Sequence, residues 1–246
     1  MNLLAAAGSG ALFGVLHGLG PDHCAALASL IAHDQDHRAS TRASFQFGLG
    51  HAAALGVLGL AASASGLLIP ESWESAAEVF AGLLLLVVGV LALTRRDAQL
   101  VIHSHAHDHV HPHAHDEPPH AHWHMHLGTA LFRKHDARQP HRHPHLAAII
   151  GGAFGLSGVR ALTLALPPLI LAAHSLASAL VFVVAFGLGV TISMVAFGFV
   201  FQTARRGLLS RFAANPAVAN LWIARSIGVF AIGLGIYWVA RNFTIA

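Results

Sequence analysis

The chain has 246 residues, of which 55% are hydrophobic and 10% charged, with a formal net charge of +3 and a mean hydropathy of +0.61. This composition excludes an ordinary soluble globular domain and predicts a membrane protein. The 21 histidines indicate a function with metal ions or protons, because imidazole is a common metal ligand and titrates near neutral pH. The single cysteine, Cys24, excludes an intramolecular disulfide and a zinc site built from several thiolates.

Apolar segments are long enough to span a membrane at six places in the chain. A spanning helix needs about 20 apolar residues, and the segments are 3–32, 43–69, 77–94, 146–171, 176–203 and 219–240. The first segment has no basic residue before it and is too long for a signal peptide, so we expect it to remain in the mature protein. The sequence predicts an all-α membrane protein with six transmembrane helices.

Basic residues between the segments give the orientation. Arg241 lies on one side, against eleven basic residues on the other: Arg38, Arg42, Arg95, Arg96, Arg133, Lys134, Arg138, Arg142, Arg205, Arg206 and Arg211. The positive-inside rule then places both termini on the extracytoplasmic side of the cytoplasmic (inner) membrane. It places the long segment between the third and fourth helices in the cytoplasm. The basic isoelectric point follows from this topology, and we expect no nucleic-acid partner.

Short motifs recur in the same order in the two halves of the chain. Gly10–Gly14 resembles Gly151–Gly155, Phe47–Gly50 resembles Phe186–Gly189, and the pair Gly82 and Gly89 has the spacing of Gly228 and Gly235. Two halves of three helices each must have opposite orientations, the inverted-repeat plan of many secondary transporters. We therefore predict two three-helix halves, residues 1–96 and 146–246, joined by residues 97–145. The alternative is small-residue packing shared by unrelated helices.

Ionisable side chains occur within the first apolar segment. His17, Asp22 and His23 are expensive in a membrane unless they are paired or bind an ion, so they predict a functional site. On a regular helix the two histidines would differ by about 240°. An unwound turn at Gly18, Gly20 and Pro21 would bring the three side chains around one cation.

His51, in the second segment, is a fourth candidate metal ligand. Imidazoles with one carboxylate suit nickel, cobalt, zinc or ferrous ions and suit magnesium or calcium poorly. The alternative for His51 is a core histidine that is hydrogen bonded to a backbone carbonyl.

The motif His17-x-x-x-x-Asp22-His23 resembles the signature of the nickel/cobalt transporter family. In that family this motif lies in a transmembrane helix and is required for transport. The stretch Phe47–His51 is similar to the family's following helix, and the six-helix count with a histidine-rich central loop resembles its efflux branch. The resemblance implies Ni²⁺ or Co²⁺ as the transported ion, with Zn²⁺ or Fe²⁺ less favoured, and no prosthetic group.

The central loop is rich in histidine. Fifteen of the histidines lie between His103 and His145, and every second residue is histidine from His103 to His115. Such a segment has too little apolar surface to form a core, so we expect it to be largely disordered and to buffer metal. The alternative is a plain polar linker.

We interpret the chain as a secondary transporter of a divalent transition-metal ion, with uptake preferred to efflux. The chain has no Gly-x-x-x-x-Gly-Lys-Ser/Thr motif for ATP. A membrane potential of 100 mV supplies about 4.6 kcal/mol to a divalent cation moving inward. The alternatives are an efflux permease of the same fold and a membrane-anchored metal storage or sensing protein. The lipid bilayer is the other expected partner, a cytoplasmic metallochaperone is a candidate, and the oligomeric state is open.

An enzyme is a further alternative, because Gly155-Leu156-Ser157-Gly158 resembles the Gly-x-Ser-Gly of rhomboid intramembrane proteases. A serine nucleophile needs a base within hydrogen-bond reach, and that family places a histidine in its sixth helix. The sixth predicted helix here contains no histidine. We therefore interpret Ser157 as a packing residue and expect no enzymatic activity. Arg160, in the same segment, either pairs with Asp22 or extends to the lipid head groups.

Overall fold

The computed structural model describes residues 2–34, 36–65, 71–94, 100–106, 121–127, 145–158, 176–212 and 215–243. The chain divides into two units, one formed by Met1–Leu93 with His145–Ala246 and one by Thr94–Pro144. The predicted halves, residues 1–96 and 146–246, fall within the first unit except for residues 94–96.

The described residues of the larger unit are helical. The helices are α1 (Leu3–Gly18), α2 (Pro21–Ile31), α3 (His37–Ser65), α4 (Glu71–Thr94), α5 (Leu146–Ser157), α6 (Leu176–Phe212) and α7 (Pro216–Phe243). This unit confirms the prediction of an all-helical membrane protein. Its sequence allows such regular helices because straight-chain and small apolar residues predominate and proline lies near helix starts.

Four of these helices are long and apolar enough to cross a membrane, over His37–Ala61, Ser72–Thr94, Ala177–Arg211 and Val218–Asn242. The pair α1 and α2 makes a fifth if it is one span with a 59° bend. The fourth predicted span, 146–171, is described only to residue 158, and its remainder lies outside the described residues. The described residues therefore include four clear spans, and not the six that the sequence predicted.

The fifth predicted span ends later than expected. The sequence predicted that residues 204–218 are either a short amphipathic piece along the inner membrane surface or a plain cytoplasmic linker, whereas α6 continues to Phe212. Arg205 consequently lies on a helix and is only 5% exposed. The hydropathy pattern missed this extension because it detects the loss of apolar residues, and a helix continues through polar residues when its side chains find partners.

Glycines allow the helices to approach each other at backbone distance. A Cβ atom at Gly10 would lie 2.5 Å from the Phe182 carbonyl oxygen of α6, and one at Gly155 would lie 2.6 Å from the His51 carbonyl oxygen of α3. Gly151 makes a similarly close approach to the backbone of Phe47. Such small-residue contacts drive helix association in membranes, where lipid is as apolar as the side chains.

Helices α4 and α7 pack through the glycines that share a seven-residue spacing. Gly82 faces the Gly235 carbonyl oxygen at 2.8 Å, and Gly89 faces the Gly228 carbonyl oxygen at 2.9 Å, measured from the position of an added Cβ atom. At one end of this pair, the Asn242 amide donates to the Glu78 carboxylate at 3.0 Å. The sequence repeat in these two helices thus corresponds to a direct contact between them.

The smaller unit contains two strands in the histidine-rich segment. Strand β1 (Leu100–Ala106) pairs with strand β2 (Ala121–Leu127) in antiparallel register, with His103 opposite His124 and His105 opposite His122. The sequence did not predict these strands. The remainder of the segment, residues 107–120 and 128–144, lies outside the described residues, so its predicted disorder stays a prediction.

We expect Gly151→Ala to lower stability, because the new methyl group would overlap the backbone of Phe47. Overpacking of this kind costs about 1–3 kcal/mol, which a thermal melt of the detergent-solubilised protein would measure. Gly152→Ala is the matched control, since its Cβ atom would meet only Gly50 oxygen at 3.7 Å and alanine favours a helix. Equal melting temperatures for the two variants would contradict the contact.

Candidate metal centre

The candidate site is built around the break between α1 and α2. Pro21 has no N–H group to continue the α1 hydrogen bonds, and the Gly20 N–H donates to the His17 carbonyl at 2.9 Å instead. A Cβ atom on Gly20 would lie 2.8 Å from a carboxylate oxygen of Asp22, so this position needs glycine. The predicted unwound turn is therefore present, and it separates His17 in the last turn of α1 from Asp22 and His23 in the first turn of α2.

The break brings three imidazoles together. The Nε2 atom of His17 lies 2.9 Å from that of His51 and 3.1 Å from that of His23, and the Nε2 atoms of His23 and His51 are 3.2 Å apart. His51 is fully buried and His23 is 3% exposed, whereas His17 is half-buried. We call His17, His23 and His51 the histidine trio. These three residues form a group whose nitrogens could hold one metal ion.

Asp22, the fourth predicted ligand, lies beside the trio. Its Oδ2 atom is 2.8 Å from Nδ1 of His23, the nitrogen that faces away from the other two rings. A carboxylate in this position stabilises the tautomer with the proton on Nδ1, which leaves Nε2 with a free lone pair. Asp22 also lies at the N-terminus of α2, where the helix dipole favours a negative charge.

The spacing of the three nitrogens is compatible with the binding of one metal ion. With metal–nitrogen bonds of about 2.1 Å, neighbouring ligands lie about 3.0 Å apart at right angles and about 3.4 Å apart in a tetrahedron. The observed distances of 2.9, 3.1 and 3.2 Å are close to this range, so one ion fits between the three nitrogens with small shifts of the rings.

Each imidazole also packs against a phenyl ring. His17 stacks on Phe186 with 5.7 Å between ring centroids, His51 stacks on Phe47 at 6.3 Å, and His23 meets Phe154 edge-on at 6.4 Å. The three phenylalanines come from α6, α3 and α5. These contacts limit the rotation of the imidazoles and so fix the directions of their lone pairs.

A buried polar network at the far end of α2 was missed by the sequence reasoning. The Arg205 guanidinium donates to the carbonyl oxygens of Ala32 and Asp34. The Gln202 amide donates to the Ile31 carbonyl at 3.0 Å and to the Ser40 hydroxyl at 2.6 Å. These bonds satisfy carbonyls that the end of a helix leaves unpaired. The sequence feature that could have revealed this network is the pair Gln202 and Arg205, which lie three residues apart and so on one face of a helix.

Two other residues named from the sequence, Cys24 and Arg160, are not part of the trio. Cys24 is a free, half-buried cysteine on α2. Arg160 lies outside the described residues, so its pairing with Asp22 stays a prediction.

Comparison with known proteins gave one match. The family described as NicO, High-affinity nickel-transport protein, matches residues 3–242, which extends the resemblance from the first two predicted spans to both halves of the chain. The comparisons with curated proteins and with solved structures found no match.

We expect Arg205→Met to destabilise the protein, because it keeps the apolar stem and removes two charge-assisted hydrogen bonds to the end of α2. A hydrogen bond to a charged group contributes about 1.5–3 kcal/mol, measurable by thermal unfolding in detergent. The control is Arg211→Met, at an exposed position in the last turn of the same helix. An unchanged melting temperature for Arg205→Met would show that the network contributes nothing.

Proposed function

Because the chain belongs to the NicO family of high-affinity nickel-transport proteins, we propose that it carries Ni²⁺ across the cytoplasmic membrane through the histidine trio. Co²⁺ is the second substrate that this donor set suits, ahead of Zn²⁺ and Fe²⁺. The convergence of three Nε2 atoms within 3.2 Å, in a membrane protein of a transporter family, is the observation that carries this proposal. The family is one of transporters, so the chain is no enzyme.

The position of the trio supports a transport role over a surface site. His51 is the central residue of α3, with equal lengths of helix on either side. Each side is about 21 Å long at 1.5 Å per residue, so an ion at this depth lies near the middle of a membrane. Secondary transporters place their substrate at the same depth, in helices with broken backbones.

Asp22 acts on the ion through His23. Its Oδ2 atom lies 2.8 Å from Nδ1 of that ring and favours the tautomer that leaves Nε2 free for the ion, and its negative charge offsets half the charge of a divalent cation. Outer carboxylates of this kind typically contribute about 10–100-fold in metal affinity. The alternative is that Asp22 binds the ion directly, in which case its carboxylate moves from Nδ1 of His23 to the ion.

Matched contacts between the halves support the inverted-repeat architecture. They are Gly14 with Phe186 and Gly151 with Phe47, Gly18 with Val190 and Gly155 with His51, and Gly189 with Ala11 and Gly50 with Ala148. In each pair of contacts, the glycine belongs to one half and its partner to the other, and the second contact has the two halves reversed. A pseudo-two-fold axis requires this reversal. The correspondence joins Gly14 to Gly151, one helical turn away from the motif alignment of Gly10 with Gly151. The same correspondence makes Phe154 the residue of the second half that is equivalent to His17 of the first.

Uptake is the direction that the energetics favour, since an inside-negative potential pulls a divalent cation inward. We propose the predicted topology with it: termini outside and the histidine-rich segment in the cytoplasm. There the segment would buffer arriving metal before transfer to a cytoplasmic metallochaperone. Efflux by the same fold would need coupling to protons, and storage or sensing would need no mid-membrane site.

Alanine substitutions of His17, His23 and His51 should each abolish saturable uptake of radioactive nickel by cells, because two imidazoles cannot hold the ion in the trio's geometry. Asp22→Asn should retain binding but weaken it about 10–100-fold. Membrane abundance of each variant must be measured alongside.

The control for these variants is His33→Ala. His33 is a partly buried histidine whose Nε2 lies 3.1 Å from the Ala92 carbonyl oxygen, outside the trio. Wild-type uptake by any of the three alanine variants of the trio would contradict the proposed site.

Deletion of residues 103–145 separates transport from storage. We expect the deletion to keep the initial rate of nickel uptake and to lower the amount of cell-associated metal at low external nickel. A storage protein would lose nearly all of its metal on this deletion. Expression of the wild-type chain should raise cell nickel, and a fall would establish efflux in place of uptake.

A further inference from the structure

Three phenyl rings pack against the histidine trio. We call Phe47, Phe154 and Phe186 the phenyl collar. Phe47 and Phe154 are fully buried, Phe186 is 6% exposed, and the first two rings are in contact at 5.8 Å between centroids. Each ring packs on a different imidazole of the trio, so the collar is a continuous apolar wall over two of its three members.

The collar decides which ligands an ion in the trio can obtain. Phenyl carbons have no lone pair to offer a metal. The Asp22 carboxylate is engaged with His23 at 2.8 Å, and the Thr191 and Ser193 hydroxyls of α6 donate to carbonyls of their own helix at 2.8 and 2.9 Å. On the side that the phenyl rings cover, an ion held by the three nitrogens of the trio meets ring carbons, which offer it no oxygen ligand.

This arrangement penalises one class of cation. Mg²⁺ and Mn²⁺ prefer oxygen ligands, whereas Ni²⁺ and Co²⁺ bind imidazole strongly. Where the wall excludes water, every ion loses oxygen ligands, and only an ion that binds imidazole strongly recovers that loss from the trio. The three imidazoles alone would not discriminate in this way. Without the phenyl rings, water beside the trio would let an oxygen-preferring ion keep most of its hydration shell.

We propose that the phenyl collar is the specificity-determining part of the site, and that Phe154 is its key residue because its ring contacts both His23 of the trio and Phe47 of the collar. This inference rests on the proposed function, as it concerns the same ion and the same trio. It assigns the rejection of oxygen-preferring divalent cations to side chains that never touch the ion.

The test is a binding measurement on the purified full chain in lipid nanodiscs, with Ni²⁺ and Mn²⁺ titrated against a fluorescent chelator. Phe154→Asn places an amide oxygen next to His23 and should narrow the ratio of Ni²⁺ to Mn²⁺ affinity about tenfold. Phe154→Leu restores an apolar side chain of smaller size, and it should weaken Ni²⁺ binding while keeping the ratio. Phe186→Asn repeats the test beside His17 and decides the matter if Phe154→Asn fails to fold.

The matched control is Phe197→Asn, a partly buried phenylalanine of α6 that stacks on Phe201. Its affinity ratio should equal that of the wild type. Folded Phe154→Asn and Phe186→Asn variants with the wild-type ratio would overturn the collar inference alone. A wild-type chain that binds no Ni²⁺, or binds it without dependence on His17, would instead overturn the proposed function.

Discussion

Three imidazoles on apolar helices must meet without leaving backbone N–H and C=O groups unpaired, because no water is available inside a bilayer to satisfy them. The break between α1 and α2 meets this requirement. Pro21 has no N–H to lose, the Gly20 N–H returns to His17, and the Cys24 N–H bonds to Gly20 at 2.9 Å. The bend therefore turns His23 toward His17 at little cost in hydrogen bonds, and the rest of the site is arranged around it.

Helix α6 holds both pieces of the broken helix. Gly10 and Gly14 let α1 lie against its backbone, and Gln202 and Arg205 hold the far end of α2 by its carbonyls. The same helix supplies Phe186 to His17. Two short helices with a flexible turn between them thus become one rigid support for two of the three ligands, and α3 brings the third.

The sequence predicted the larger part of the site and less of the architecture. His17, His23 and His51 were identifiable because ionisable groups in an apolar span are costly, and the glycines and proline between the first two predicted the break. The position of Asp22 beside His23 could not be read from spacing, because it depends on the bend angle. The sequence placed Arg205 beyond the end of the fifth span, because composition does not show which carbonyls a distant arginine will reach. The strands β1 and β2 were missed for a related reason: alternating histidines match a strand period, but their polarity favoured a disordered segment.

The ligands and the wall around them lie far apart along the chain. All three imidazoles are made within the first 51 residues, whereas Phe154 and Phe186 follow more than a hundred residues later. During synthesis the N-terminal half therefore has its metal-binding nitrogens before two of the three rings that enclose them. If the phenyl collar sets the ion preference as proposed, that preference is complete only when the second half of the chain has packed against the first.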